Sequence, residues 1–519
     1  LTRATPSSPI RDGDGFGRWI ERHAERSPSR PALLDDERRL DFAALHERIL
    51  RAAGALRDAG LAPGERIALV AGNRSAYLEA LFAAARLGAI AVPINARLVA
   101  REIRTLLSDC VPRALLCEPA LEPVVRAALD GLPGAPPAIL RCGGPDDPWE
   151  RALSTARPFE PCAPAPPERP MLILYTSGTT GHPKGALLPE RKTLANSRNA
   201  EIFFGLSPDD RVLVALPLFH SFGLKILSLP TLYAGGRVVL RRAFDPAAVW
   251  DDVGREGITF FGGVPTMFRA LLDALDAGSA RFDLRSLRFL FTAGAAIPVE
   301  LIRAFEARGL VLKQGFGQTE TSILCCLDAQ DAIRKAGSVG RPVAQTRLRI
   351  VRSETLAGSP EGWRDARPGE AGEIVVSGPI AMLGYWNRPE ETAEVLRDGW
   401  LRTGDLATAD AEGFVTLVGR ARDMYISGGE NVYPAEVEAV YAEHPAVREI
   451  AVVGRPHPRW GEVGRAYVVS APGCALDAEA LLAWGRERLA AFKLPRDFVA
   501  VPALPRTETG KVQKHRLGA

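Results

Sequence analysis

Short apolar runs alternate with helical stretches along this chain, and that alternation limits the folds open to it more than any other feature. Residues 41–59 (DFAALHERILRAAGALRDA) place Phe42, Leu45, Ile49, Leu50, Ala53 and Leu56 at helical spacing, and Gly60 stops the helix. Arg66-Ile-Ala-Leu-Val70 then reads as a buried strand and residues 76–86 as a second helix. The pattern recurs around strands at 212–216, 238–240, 258–261 and 288–292. Each such unit must bury an apolar face against its neighbours, so repetition predicts a layered α/β architecture. Proline crowds residues 157–170 (RPFEPCAPAPPERP), which read as a surface connector. After Gly419-Arg420 the texture changes. Residues 434–443 look helical, 448–453 and 465–470 look like strands, and 477–490 look helical again, a compact α+β unit. The expected boundary lies near Arg422, giving domains 1–421 and 422–519.

At 519 residues the chain exceeds one ordinary domain, and its 46% hydrophobic content can fill large cores. With 65 basic and 62 acidic residues the net charge is +3, which gives no support for a nucleic-acid surface. Seven scattered cysteines without a CxxC pair point to a reducing compartment rather than a disulfide framework. The sequence starts LTRATPSSPIRDGDG, without the apolar core of a secretion signal. Residues 80–93 come nearest to a membrane span, and Arg86 and Gly88 break them. A cytoplasmic protein without a membrane span is expected.

The most specific short stretch is 175–185, YTSGTTGHPKG, which follows the apolar run Met171-Leu-Ile-Leu-Tyr175. Its glycines let backbone N–H groups approach a ligand, its hydroxyls add donors without bulk, and Lys184 adds a positive charge. The natural guest is a polyphosphate. The plain alternative is a Gly/Ser/Thr hairpin turn between two strands, since Ala186-Leu-Leu188 is again apolar. The familiar phosphate loop, G-x-x-x-x-G-K-[ST] opening into a helix, does not fit, because Lys184 is followed by Gly185 and no helix starts there.

Four further stretches follow in order: GFGQTET at 315–321, WLRTGD at 400–405, GRARDMYISGGENVYPAE at 419–436 and PRTETGK at 505–511. Together with the glycine loop they resemble the adenylate-forming family over nearly the whole chain. That family includes acyl- and aryl-CoA synthetases, luciferases and peptide-synthetase adenylation domains. The resemblance implies a large layered α/β N-terminal domain and a small, mobile α+β C-terminal domain. It also implies the cofactors ATP, Mg²⁺ and coenzyme A. By resemblance Thr176 and Glu320 hold the metal and Thr319 contacts the α-phosphate. Ser177, Gly178, Thr179, Thr180, Gly181 and Lys184 follow the other phosphates. Asp405 and Arg420 reach the ribose, Phe316 stands where the family usually has a tyrosine against adenine, and Gly294, Ala295 and Ala296 line its other side. Lys511 matches the mobile catalytic lysine that bridges the attacking carboxylate and the α-phosphate. Arg422 takes the hinge position, where aspartate or lysine is commoner. After rotation Ser427, Gly428, Gly429 and Glu430 would shape a tunnel for the pantetheine arm of coenzyme A.

The acid is addressed by PLFHSFGL at 217–224. Amino-acid-activating relatives place an aspartate after the first phenylalanine, to pair with the substrate ammonium. Here it is His220, grouped with the catalytic residues, so an apolar acid is expected, aryl (hydroxycinnamate) or medium-chain. The expected acyl pocket comprises His220, Phe222, Phe261 and Gly294, with Gly315 at its floor; a structural histidine packed under the adenylate is the equal alternative for His220. Lys225 interrupts the apolar helix and reads as a snorkelling surface lysine, with contact to a polar tail group of the acid as the alternative. The expected function is that of an AMP-forming acyl-CoA synthetase. A stand-alone enzyme loading a carrier protein, an oxygenating relative and a non-catalytic binding relative stay open as alternatives. The expected partner is a small-molecule carboxylic acid, and a homodimer stays open.

Overall fold

The computed structural model describes the chain apart from residues 1–9, 12, 37, 145, 177–182, 279–281, 295–296, 421–422, 428–429, 459, 490, 508–509, 511 and 518–519. It divides into two compact units. The first holds Leu1–Ala336, Pro342–Arg347 and Ser377–Gly399, and the second Gly337–Arg341, Leu348–Val376 and Trp400–Ala519. The second unit thus starts upstream of the expected break at 421/422. Trp400–Ala409 and Val415–Arg420, which pair antiparallel, both belong to this second unit.

Two sheets organise the first unit. One runs in the order Gly384–Tyr385, Lys184–Pro189, Pro170–Thr176, Ile90–Pro93, Arg66–Val70, Ala114–Cys117, Ala138–Arg141. Its central strands Ile90–Pro93, Arg66–Val70 and Ala114–Cys117 are parallel and almost wholly buried, as strands covered on both faces must be. The other runs Ser322–Leu327, Leu312–Gln318, Phe289–Ala293, Phe260–Gly263, Arg211–Val214, Arg237–Leu240, Pro31–Leu34, Arg39–Asp41. Its middle strands, from Leu312–Gln318 to Arg237–Leu240, are parallel, and Ser322–Leu327 returns antiparallel along Leu312–Gln318. The expected strands are therefore present, shifted by one or two residues at their ends.

This second sheet has two different faces. One is aromatic: Phe260, Phe289 and Phe291 pack on Phe204 of the Glu190–Phe204 helix. The opposite face carries Phe261 and Leu290 into a core with Trp250, Phe268 and Phe305. Alternation along a strand separates Phe260 from Phe261, so a shift of one residue would exchange the two cores.

In the second unit, Glu430–Val432, Tyr425–Ser427, Gly461–Ser470 and Val447–His457 form an antiparallel sheet, and Asp497–Ala500 adds in parallel to Gly461–Ser470. The helices Pro434–Ala442 and Ala478–Arg486 cover it through Val437, Tyr441 and Leu481. All seven cysteines are free. Cys325 and Cys326 are adjacent and buried, and burial pushes both thiols up, while Cys474 is exposed. Among the described residues no helix is long and apolar enough to cross a membrane.

Candidate active site

The glycine loop closes a hairpin. Pro170–Thr176 and Lys184–Pro189 pair antiparallel with Thr176 opposite Lys184, and the Thr176 hydroxyl donates to the Lys184 carbonyl at 3.3 Å. A strand, not a helix, begins at Lys184. Ser177, Gly178, Thr179, Thr180 and Gly181 lie outside the described residues. The short Gly384–Tyr385 strand joins the edge of the hairpin, with Tyr385 opposite Ala186. The Lys184 ammonium stands 5.4 Å from the centre of the Tyr385 ring, and the Tyr385 hydroxyl donates to Glu320 Oε1 at 3.0 Å.

Glu320 sits in the turn between Leu312–Gln318 and Ser322–Leu327. The turn is tied by Gln318 N–H to the Thr321 hydroxyl (3.1 Å) and by Met382 N–H to the Glu320 carbonyl (3.0 Å). Lys184, Tyr385 and Glu320 thus form one contiguous polar chain drawn from three separate segments. Tyr385 escaped sequence reasoning. The stretch LGYWNRP has the glycine and aromatic residues of a strand end, but nothing in it points to a carboxylate sixty-five positions earlier. Thr319, in the same turn, and Phe316, opposite Cys325, are half-buried. Gly294, in the left-handed region at φ +90°, follows Ala293, which pairs with Gly315. These positions lie at the carboxyl ends of parallel strands, where α/β sheets hold their ligands. Ala295 and Ala296 lie outside the described residues.

In the segment expected to face the acid, His220 closes a turn through its N–H to the Pro217 carbonyl (3.1 Å), and its Nδ1 accepts from the Phe222 N–H at 3.2 Å. That acceptance places the ring proton of neutral His220 on Nε2. Phe222–Ser228 is a π-helix, fully buried, and it continues into Leu229–Tyr233 as α-helix. Such wide turns recur at functional sites. Phe222 meets Phe291 edge-on at 5.7 Å. A Cβ at Gly315 would run into the Phe291 ring, and one at Gly262 would stand 2.6 Å from Leu227 of the π-helix. Both glycines therefore admit close approach on the aromatic face.

Two expectations need correction here. Phe261 is on the other face of the sheet, packed on Phe268, and Gly262 takes its place opposite the π-helix. Lys225 does not snorkel. It is fully buried, its ammonium donates to the Thr193 hydroxyl at 3.0 Å, and burial lowers its pKa from 10.5 to about 7. Lys192 is buried beside it and bonded to the Ser322 hydroxyl, with its pKa also pushed well down by burial and by Lys225.

In the second unit Asp405 and Arg420 are register partners across two strands, and Arg420 Nε meets Asp405 Oδ1 at 2.5 Å. Asp405 is buried, and its N–H donates to the Thr403 hydroxyl at 3.1 Å. Ser427 and Glu430 are register partners around Gly428 and Gly429. Those two glycines, the Glu430 side chain, Arg422 and Lys511 lie outside the described residues. Arg506 and Val512 form an isolated antiparallel bridge.

The comparison with known proteins follows the same layout. The profile of the family described as AMP-binding enzyme matches residues 20–386, and that of the AMP-binding enzyme C-terminal domain matches 436–511. The chain belongs to the AMP-binding enzyme family. A feruloyl-CoA synthase from Amycolatopsis sp is 43% identical over 501 residues, spanning 96% of this chain and 98% of that protein. An indoleacetate–CoA ligase from Aromatoleum aromaticum is 42% identical, spanning 96% of each. The crystal structure of ATP-bound MatB from Rhodopseudomonas palustris matches with a TM-score of 0.88 at 30% identity, over 96% of this chain and 98% of that one. Within the AMP-binding enzymes this chain is an AMP-forming acid–CoA ligase of the acyl-CoA synthetase class.

Proposed function

We propose that this AMP-binding enzyme activates an apolar aryl carboxylic acid of the hydroxycinnamate kind as its acyl-adenylate and passes the acyl group to coenzyme A. The observation that carries the choice of acid is the aromatic face beside His220: Phe222 is set edge-on to Phe291, and the lack of a side chain at Gly315 and Gly262 lets the Phe291 ring and Leu227 pack close against the strands there. Full-length relatives named for feruloyl and indoleacetate substrates support the same choice. No carboxylate stands where an amino-acid ammonium would need one, because His220 holds that position.

In the first half-reaction a carboxylate oxygen bonds to the α-phosphorus of ATP while the bond to pyrophosphate breaks. In the second, the thiol sulfur of coenzyme A bonds to the acyl carbon, its proton is lost, and AMP leaves. Negative charge converges in the first step, so positive groups and hard oxygen donors are needed near the phosphates. Lys184 supplies charge beside the loop. The Glu320 carboxylate and the Thr176 hydroxyl are hard oxygen donors, and Tyr385 orients the carboxylate. One carboxylate with substrate phosphates is the usual protein share of a Mg²⁺ site, so these residues fit that ion, which when bound would neutralise phosphate charge. Thr319 would contact the α-phosphate, and Phe316 and Gly294 would flank adenine. Asp405 would accept the ribose hydroxyls, held in place by Arg420. Lys511 would stabilise the charge gathered between carboxylate and α-phosphate, and rotation at Arg422 would exchange it for the Ser427–Glu430 turn before thiol attack.

A panel of acids tests the proposal through pyrophosphate release and acyl-CoA formation. Hydroxycinnamates and other aryl acids should exceed octanoate and long-chain acids in kcat/KM by about tenfold or more, and amino acids should be inert. ADP and phosphate as stoichiometric products would overturn the adenylation reading. A preference for aliphatic acids would overturn the choice of acid alone.

A further inference from the structure

The Glu190–Phe204 helix carries polar residues where a sheet-covering helix should be apolar. Lys192, Thr193, Asn196 and Asn199 are all buried, and each has a defined partner. Lys192 bonds the Ser322 hydroxyl, Thr193 receives the Lys225 ammonium, and the Asn199 carbonyl oxygen accepts from Gln345 N–H at 2.9 Å. Asn196 differs from the others because it holds two segments at once. Its Nδ2 donates to the Lys225 carbonyl at 2.6 Å, and its Oδ1 accepts from the Ile323 N–H at 3.2 Å. The partners fix the orientation of the amide, since one is an acceptor and the other a donor.

The first bond answers a need created by the π-helix. In an α-helix the Lys225 carbonyl would accept from Leu229 N–H, but that N–H goes to Leu224. In a π-helix the donor would be residue 230, which is proline and has no N–H. The carbonyl is buried, so a missing partner would be costly. Asn196 supplies the donor from outside the helix. The second bond reaches Ile323, three residues after Glu320 and next to Ser322, whose backbone is in the left-handed region at φ +60°. One buried side chain therefore joins the helix that carries Phe222 to the strand that carries the Glu320 turn.

We infer that Asn196 is a positioning residue for the adenylation step: it sets the acid-side helix and the phosphate-side turn at one fixed separation. This rests on the reading of the site as one that joins a carboxylate to an α-phosphate. Before that bond exists, acid and nucleotide are separate molecules, and their approach depends on how the two segments are held. A displacement of about 1 Å is enough to cost on the order of 10²-fold. Once acyl group and phosphate are covalently joined, the adenylate itself keeps the spacing, and the tie is redundant.

The test uses the full-length enzyme with Asn196→Ala, which removes both bonds. Isosteric Asn196→Asp keeps the acceptor for Ile323 but turns an oxygen toward the Lys225 carbonyl. Thermal melting identifies folded protein, and Asn196→Asp decides if the alanine variant does not fold. The expected result is a fall of about 10² in kcat for pyrophosphate release from ATP and acid. KM for each substrate, and the rate of acyl-CoA formation from synthetic acyl-AMP, should stay within about threefold. A merely structural residue would lower both half-reactions together. Equal losses in both, or unchanged adenylation in a folded variant, would overturn the inference. Wild-type enzyme that released no pyrophosphate with any acid would overturn the functional reading instead.

Discussion

The hairpin strand that begins at Lys184 and the π-helix each carry a lysine, and the two lysines meet opposite surroundings. Lys184 is half-buried, over the face of Tyr385 and linked through that tyrosine to Glu320. Lys225 is fully buried, bonded to a hydroxyl, and lowered to about pKa 7. The second setting opposes charge, because desolvation disfavours the ammonium, against only a coulombic pull from Glu190. The same residue type therefore faces an aromatic ring in one segment and a buried hydroxyl in the other. The difference lies in the backbone around each, an edge hairpin against a buried wide helix.

The strongest way to break this contrast is Glu320→Gln. Glutamine keeps an acceptor for Tyr385 but removes the charge, and adenylation should fall by about 10²–10³ in kcat. Acyl transfer from synthetic acyl-AMP to coenzyme A should change by less than about threefold. Equal losses in the two assays would make Glu320 part of the turn's scaffold rather than of the chemistry.

Tyr385→Phe probes the same chain one link away. The ring that faces Lys184 stays, and only the hydrogen bond to the carboxylate goes. Bonds to charged groups contribute about 1.5–3 kcal/mol, so adenylation should slow by about 10–100-fold, less than for Glu320→Gln. A loss as large as that of Glu320→Gln, measured by pyrophosphate release, would mean that the hydroxyl itself touches substrate.

Lys225→Met sharpens the comparison through stability. Replacing a buried charge by an apolar chain of similar size is often stabilising, here by about 1–4 kcal/mol at neutral pH. The folded-state pKa, about 7, is below the unfolded value of 10.5, so between these pH values the unfolded chain binds more protons. Wild-type stability should therefore rise with pH across that window, relative to the variant. The advantage of Lys225→Met should be full at or below about pH 7 and vanish above 10.5. Lys184→Met should alter stability by less than about 0.5 kcal/mol. Denaturant unfolding at several pH values checks both, and parallel pH slopes in wild type and Lys225→Met would show that the buried lysine keeps its proton.

What the sequence revealed follows the same division. The layered α/β organisation was legible because buried strands and amphipathic helices differ in apolar spacing, and the strands at 66–70 and 288–292 needed nothing more. Lys184 stood out because its loop combines glycines, hydroxyls and a charge, whereas Glu320, Asp405 and Arg420 stood out through the resemblance of their segments to the adenylate-forming family; the structure pairs Asp405 with Arg420 directly. Register was not legible. Phe261 and Gly262 are neighbours, and which one faces the π-helix depends on strand pairing with residues far away in the chain. Helix type was not legible either. Lys225 looked like a surface residue because ILSLP around it gives no sign of a π-helix, and burial follows from that helix being covered by Thr193 and Asn196. Polar residues of ERKTLANSRNAEIFF likewise suggest a solvated face, yet Lys192, Asn196 and Asn199 are buried, since their partners come from 225, 322–323 and 345.

Thiol chemistry adds a practical handle. Maleimides and related reagents need an accessible thiolate, which Cys325 and Cys326 do not offer in the folded chain. Cys474 is exposed and belongs to the second unit, the one that also contains Asp405 and Arg420. A fluorophore or spin label will therefore enter the unaltered enzyme fastest at Cys474. Spectroscopy during turnover then reports on the second unit directly, without removing cysteines or touching any residue of the site.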